Sequence, residues 1–251
     1  MKEGRPLDAT RPAGICTEPW VGLADGAALA SWSREDEIVY NQVNRQSAKL
    51  AFYVQAYDFI TENRVEGDYH EYGCHRGRTF RMSLTEARRH GLDAMTFYAF
   101  DSFEGLPTVQ SDPSVTGWRR GALSTSEDEF RNLVSEHGIY VDRCVTVKGF
   151  YGQSLTDELQ HRLLAAKRPI ALACVDCDLY ESAVPVFRFL GPLLQEGSLL
   201  YIDDYFTGYR GSPVKGVARA FTEFEAKSRF KFVSHMQIGW WGRSFIAYRD
   251  E

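Results

Sequence analysis

The chain has no apolar run approaching the roughly 20 residues that cross a bilayer. Its opening, MKEGRPLDATRPAGICTEPW, lacks the continuous apolar stretch of a secretory signal. There is no basic block either: 29 Lys and Arg stand against 34 Asp and Glu, for a net charge of -5. Such a balance gives no electrostatic footprint for a phosphate backbone, so neither nucleic acid nor membrane is an expected partner and a small molecule is. Cysteines number only five, an odd count at irregular spacing, which excludes a disulfide framework. Reduced thiols and a cytoplasmic location are the expectation. Cys174 and Cys177 form a C-x-x-C inside the strand-like run ALACVDCDLY, where residues three apart point to opposite faces and cannot jointly clasp a metal. A G-x-G-x-x-G fingerprint is also missing from the first strand–helix turn.

What is present is 251 residues at 44% hydrophobic and 14% aromatic, enough for one globular domain, or one domain plus an extension. Residues 1 to about 32 are rich in Gly, Ala and Pro without a sustained period and read as an arm or lid. Ser33 is an N-cap candidate, with Asp36 and Glu37 in the first turn, for a helix running to about Asn63. Ile38, Val43, Ala51, Val54 and Phe59 are its predicted apolar stripe. The expected division is therefore an N-terminal arm and helix over 1–65 and a second domain over 66–251.

After Gly67, strand-like DYHEYG, MTFYAFD, RCVTVKG, PIALACVDCD and GSLLYIDDY alternate with helical stretches starting near Thr79, Ser126, Ser154 and Glu181. Ser126 with Glu129 makes a capping box, and Ser212 followed by Pro213 is an N-cap and N1 pair for one more helix. This rhythm predicts right-handed crossovers and a parallel sheet covered on both faces. RFKFVSHMQI and WWGRSFIAYR, separated by a short turn at Ile238 and Gly239, break it with a terminal hairpin. The expectation is an α/β, Rossmann-like fold of the class I S-adenosylmethionine (AdoMet) methyltransferase type. It comprises a mostly parallel seven-stranded sheet, a C-terminal antiparallel hairpin and an N-terminal helical lid.

Ligands of such sheets bind outside the carboxyl ends of the strands. The first loop, EYGCHRGRTF, carries Gly73 and Gly77, whose small size lets backbone amides approach a ligand, and Glu71, which suits an ammonium better than a pyrophosphate. Asp101 closes the second strand about thirty residues on, where an acidic side chain commonly accepts from both ribose hydroxyls; AdoMet and NAD share that need. VDCDLYES and YIDDYF end the fourth and fifth strands and bring four carboxylates to one rim. Asp176, Asp203 and Asp204 then converge, a pattern suited to a hard divalent cation such as Mg2+. The bland alternative makes Asp203 or Asp204 a loop cap and Asp178 the cap of the helix near Glu181. Phe150 and Tyr151 after the third strand, and Tyr205 after the acidic pair, are candidate walls of the substrate pocket.

GDYHEYGCHRGRTF, FYAFDSFEGLP, VDCDLYES and YIDDYF, in this order, resemble the TylF/MycF family of macrocin-type sugar O-methyltransferases of antibiotic biosynthesis. The resemblance runs from about Gly67 onward and departs at Gly77–Arg78, where family members often carry Gly-Gly. It implies AdoMet as methyl donor, Mg2+ dependence, homo-oligomers, and an N-terminal segment over the substrate. Carried over by position, it makes Asp176, Asp203 and Asp204 metal ligands, and Glu71, Gly73, Asp101 and Ser102 AdoMet contacts. Asp176 is the candidate general base. The expected function is O-methylation of a sugar or glycosylated natural product; a metal-independent N-methyltransferase for an amino sugar is the alternative.

Overall fold

Five parallel strands form the frame, and its two central strands are buried on both faces, as strands covered by helices on each side must be. In the computed structural model, which describes residues 15–17, 22–109 and 117–250, the central strands β3 (Asp68–Tyr72) and β6 (Ile170–Val175) are buried at every position. Around them lie β4 (Phe97–Asp101), β5 (Cys144–Lys148) and β7 (Leu194–Ile202). The sheet is completed by β8 (Lys231–Ile238) and β9 (Gly242–Tyr248), giving the order β5-β4-β3-β6-β7-β9-β8. All pairs up to β7 are parallel; β9 runs antiparallel to β7 and to β8. Strand order reverses between β3 and β6, so the crevice there is the topological switch point. Because Ile202 pairs with Arg243 and Ile238 with Gly242, the β8–β9 turn lies at the rim where β7 ends. The expected fold class is thus observed. One detail differs: Trp240 and Trp241, read as part of a strand, belong to the turn, and β9 begins only at Gly242.

By Cα packing the chain falls into two units, 1–49 and 50–251. The first contains a two-stranded antiparallel ribbon, β1 (Ile15–Thr17) with β2 (Gly22–Ala24), then α1 (Gly26–Leu29), whose N-cap Asp25 accepts from the Ala27 amide at 2.9 Å. Helix α2 (Arg34–Glu62) starts here. Its N-terminus is a reciprocal box: Ser33 Oγ accepts from the Asp36 amide at 3.2 Å while the Asp36 carboxylate accepts from the Ser33 amide at 2.9 Å.

In the second unit the last turns of α2 bury Phe52, Tyr53, Ala56, Tyr57 and Ile60, at i, i+1, i+4, i+5 and i+8. The predicted stripe was set one face away, since Ile38, Val43 and Ala51 are exposed. The aromatic members win because two carry a hydroxyl that finds a buried partner: Tyr53 meets the Tyr69 hydroxyl at 2.8 Å and Tyr57 meets Ser83. Each such ring contributes about 2 kcal/mol by leaving water. The sheet is covered by α3 (Arg78–Arg89), α4 (Glu127–His137), α5 (Tyr151–Ser154), α6 (Asp157–Ala165), α7 (Tyr180–Leu190) and α8 (Gly216–Glu225). Ser126 caps α4 as expected, accepting from the Glu129 amide at 3.2 Å. Two other expected starts move. The stretch expected near Ser154 begins at Asp157, capped by Thr156, and α8 opens at Gly216 rather than after Ser212–Pro213.

Candidate active site

The loop after β3 turns sharply at Gly73, with φ +95°, and a Cβ there would lie 1.8 Å from the Asp176 carbonyl oxygen. Only glycine lets these two loop backbones touch at the switch point. Gly77 starts α3 in the left-handed region at φ +52°, with the Phe130 ring 3.1 Å from where a Cβ would stand. Asp101, at the end of β4, spans two loops: one carboxylate oxygen accepts from the Cys74 amide at 2.6 Å and the other from the Phe103 amide at 2.7 Å. Burial raises the Asp101 pKa, and those amides oppose the rise. A carboxylate has about four lone-pair sites, so two N–H bonds leave room for hydroxyl donors.

Glu71 is fully buried, with Thr79 Oγ1 donating to it at 2.8 Å and the Tyr69 hydroxyl donating to its other oxygen. It lies beneath the first loop and fixes the opening turn of α3. Ser102 is folded onto its own turn, donating to the Gly105 carbonyl at 2.8 Å and accepting from the Glu104 amide at 3.1 Å. Thr125 ties the following segment to the first loop, meeting His75 Nδ1 at 2.9 Å and accepting from the Arg76 amide at 3.0 Å. Burial, then Arg76 and Arg78, lowers the His75 pKa.

Across the switch point, backbone bonds carry the strand register into the acidic loops: the Asp176 amide donates to the Tyr72 carbonyl at 2.8 Å and the Asp203 amide to the Val175 carbonyl at 3.0 Å. Carboxylate oxygens of Asp176, Asp178 and Asp204 come within 4.8 Å of one another. Asp178 reaches this group from a left-handed backbone, φ 60°, uncommon for a non-glycine residue. Asp203 is not in the group. Its Oδ1 accepts from Trp241 Nε1 at 3.0 Å and from the Tyr201 hydroxyl, so it ties the β8–β9 turn to β7. Of the expected Asp176, Asp203 and Asp204, the structure brings Asp176 and Asp204 together, with Asp178 rather than Asp203 beside them. No side-chain cap bond is made at Leu179, the residue capping α7. The Cys177 thiol between these carboxylates is pushed well up, first by burial and then by Asp178, Asp204 and Asp176.

Of the candidate pocket walls, Phe150 caps α5 through its backbone, and Tyr151 reaches back to donate to the Phe100 carbonyl at 3.3 Å, beside Asp101. Tyr205 packs against Phe206, Phe221 and Phe245, with the Arg243 guanidinium 5.7 Å from its ring. The loop that follows runs left-handed through Gly208, Tyr209, Arg210 and Gly211, at φ 70°, 46°, 58° and 71°. The two non-glycine residues there store about 1–2 kcal/mol each.

The switch point on this sheet order is thus walled by a glycine, with an acidic residue ending β4 and a carboxylate cluster beside it. The macrocin-O-methyltransferase (TylF) family model matches residues 40–245. The chain belongs to this family. Among TylF-like curated relatives, an 8-demethyl-8-(2,3-dimethoxy-alpha-L-rhamnosyl)-tetracenomycin-C 4'-O-methyltransferase from Streptomyces olivaceus is 29% identical over 152 residues, 58% of this chain and 56% of the relative. A demethyldecarbamoylnovobiocin O-methyltransferase from Streptomyces niveus is 26% identical over 157 residues, 60% of this chain and 57% of the relative. The matched stretch thus spans little more than half the length of either. Two solved structures share the fold: the O-methyltransferase NovP, with TM-score 0.64 at 23% identity over 80% of each chain, and the calicheamicin methyltransferase CalS11, with 0.62 at 18% over 88% of each. Membership in an O-methyltransferase family does not favour the amino-sugar N-methylation alternative. Among the described residues, no helix is long and apolar enough to cross a membrane.

Proposed function

We propose that this TylF-family chain transfers the methyl group of AdoMet to a hydroxyl of a sugar or glycosylated natural product, with Mg2+ assistance, in antibiotic or related secondary-metabolite biosynthesis. The observation that carries the reading is the convergence of Asp176, Asp178 and Asp204 beside the crevice where Gly73 abuts Asp176. An all-oxygen, all-carboxylate donor set fits a hard cation and not a soft one. When bound, Mg2+ supplies Lewis acidity that eases loss of the acceptor hydroxyl's proton.

The chain's own residues do the remaining work. Asp101 accepts from the ribose hydroxyls, and the first amides of α3, which follow Gly77, receive the donor's carboxylate. Glu71 and Ser102 act from under and beside these loops by holding their shape. Phe150 and Tyr151 on the donor side and Tyr205 on the acceptor side wall the pocket and exclude water. The acceptor oxygen attacks in line with the sulfonium, forming the C–O bond as the C–S bond breaks to leave S-adenosylhomocysteine, and Asp176 takes the hydroxyl proton. Asp203 supports this arrangement through Trp241. The division into an arm and helix over 1–65 and a methyltransferase domain over 66–251, a homo-oligomeric assembly and a cytoplasmic location belong to the same proposal.

Labelled AdoMet with a panel of rhamnosides and related glycosides tests it. Methyl transfer is expected to stop with EDTA and return with excess Mg2+. Turnover that persists in EDTA overturns the metal role, and absence of AdoMet binding by calorimetry overturns the whole reading.

A further inference from the structure

Beyond the acidic cluster the same rim opens into a groove of about 580 Å3, walled by Phe206, Tyr209 and Trp240 and edged by Arg210 and Gln237. We propose that this groove holds the part of the acceptor beyond the ring being methylated, a second sugar or aglycone ring with one apolar face, and that Trp240 is the wall on which it stacks. The proposal rests on the methyltransferase reading, because the methylated ring is placed at Asp176, Asp178 and Asp204.

Position supports it first. Phe206 follows Asp204 by two residues, and two Cα steps of 3.8 Å put their Cα atoms within about 7.6 Å. The Phe206 amide donates to the Trp241 carbonyl at 2.8 Å, and the Trp241 indole donates to Asp203 at 3.0 Å. Groove wall and acidic loop are therefore adjacent along the chain and tied to the same turn through Trp241.

The turn itself is fixed. Gly239 has φ +56°, and a Cβ on it would stand 2.1 Å from the Trp241 ring. Gln237 Nε2 donates across the turn to the Gly239 carbonyl at 3.1 Å. Trp241 is 4% exposed and Trp240 is 64% exposed, with their rings edge to face at 5.9 Å and 84°. The buried indole thus anchors its neighbour, which presents a large apolar face to solvent beside the site. The left-handed run Gly208–Gly211 also lines the groove and brings Tyr209 and Arg210 to it.

The chemistry selects the occupant. Aromatic walls favour the apolar face of a ring, while Arg210 and Gln237 offer donors to its edge oxygens. None of the described residues lining the groove is acidic, so it does not suit a cationic group. Its volume lies within the range of small-molecule sites.

Two probes that differ only in the aglycone, 4-nitrophenyl α-L-rhamnopyranoside and methyl α-L-rhamnopyranoside, test the assignment by calorimetry with S-adenosylhomocysteine and Mg2+ present. The wild type is expected to bind the aryl glycoside roughly tenfold more tightly, the scale of one good ring stack. In Trp240→Ala that preference falls to about twofold or less while the methyl glycoside and S-adenosylhomocysteine bind as before, and Trp240→Phe keeps most of it. Trp240 is exposed, so neither variant disturbs the core. A wild type that binds the two probes equally, or binds neither, overturns the proposal. So does a Trp240→Ala protein that keeps the preference, or one that only changes oligomeric state on size-exclusion chromatography. Failure of the methyltransferase reading shows differently, as no S-adenosylhomocysteine binding at all.

Discussion

On the β3–β4 side of the carboxyl rim, side chains are spent on the protein's own loops: Asp101 on two amides, Glu71 on Thr79 and Tyr69, Ser102 on its own turn, Thr125 on His75 and Arg76. On the β6–β7 side, three carboxylates crowd within 4.8 Å and Trp240 projects into solvent, while left-handed backbone occurs on both sides, at Arg76 and Phe103 as at Asp178 and Tyr209. The first side is shaped before any ligand arrives, as suits a donor whose structure never varies. The second concentrates like charge, where the proposal places a cation and a variable acceptor.

Replacing the glycine at the border breaks both sides at once and has the largest expected effect. Gly73→Ala combines a left-handed φ with overlap on the Asp176 carbonyl, and a loss of about 4 kcal/mol in urea unfolding is expected. Gly91→Ala is its control: φ is +67° but nothing lies within 4 Å, so about 1 kcal/mol is expected. Equal losses would show that the close approach at the switch point is unimportant.

Next in size is a test on the acidic side. Asp204→Asn is expected to lower turnover by roughly 100-fold, with AdoMet affinity within about twofold of wild type. Asp203→Asn, which weakens the tie to Trp241 and Tyr201, is expected to lose about 1–2 kcal/mol of stability and only about tenfold in turnover. If Asp203→Asn proves the more damaging to Mg2+-stimulated turnover, the cluster is the Asp176, Asp203 and Asp204 trio read from the sequence.

A smaller effect belongs to the donor side. Asp101→Asn is expected to weaken AdoMet binding by roughly tenfold in calorimetry and leave the acceptor KM unchanged; a shift in acceptor KM alone would erase the distinction between the two halves.

The smallest lies away from both. Burial pulls the His90 pKa down, but bonds to the Asp58 carboxylate at 2.8 Å and the Glu86 carbonyl at 2.7 Å outweigh it, and the net direction is up. Protonated His90 therefore stabilises the fold below its unfolded pKa of about 6.5, and the contribution fades as pH rises through the raised folded value. With Asp58 largely exposed, His90→Gln is expected to cost about 0.3–0.5 kcal/mol at pH 5.5 and nearly nothing at pH 9 in thermal unfolding, with methyl transfer untouched.

How much could be read beforehand follows the same divide. The strands were legible because burial on both faces leaves unbroken apolar runs such as IALACV, and the caps at Ser33 and Ser126 because a box is local. Ser212 misled because a cap signal does not say where the core will accept a helix. The stretch expected near Ser154 starts at Asp157, capped by Thr156, while Ser154 Oγ donates to the Gly149 carbonyl at 3.0 Å. The rim and most of its acids were visible as motifs. Which acids converge was not, because that depends on the backbone turn at Asp178 and on an indole donor from a turn about forty residues beyond Asp203. The doublet Trp240–Trp241 was the available signal: two tryptophans at a glycine turn are too large for both to be buried there.

Strand β9 fills the slot between β7 and β8, yet it is synthesised after every other strand of the sheet. On the ribosome, the loops around Gly73 and Asp101 are therefore complete in sequence while Asp203 still waits for its indole partner. Assembly order is written into the strand order: the β3–β4 side of the rim can settle first, and the β6–β7 side closes only when residues 242–248 are in place.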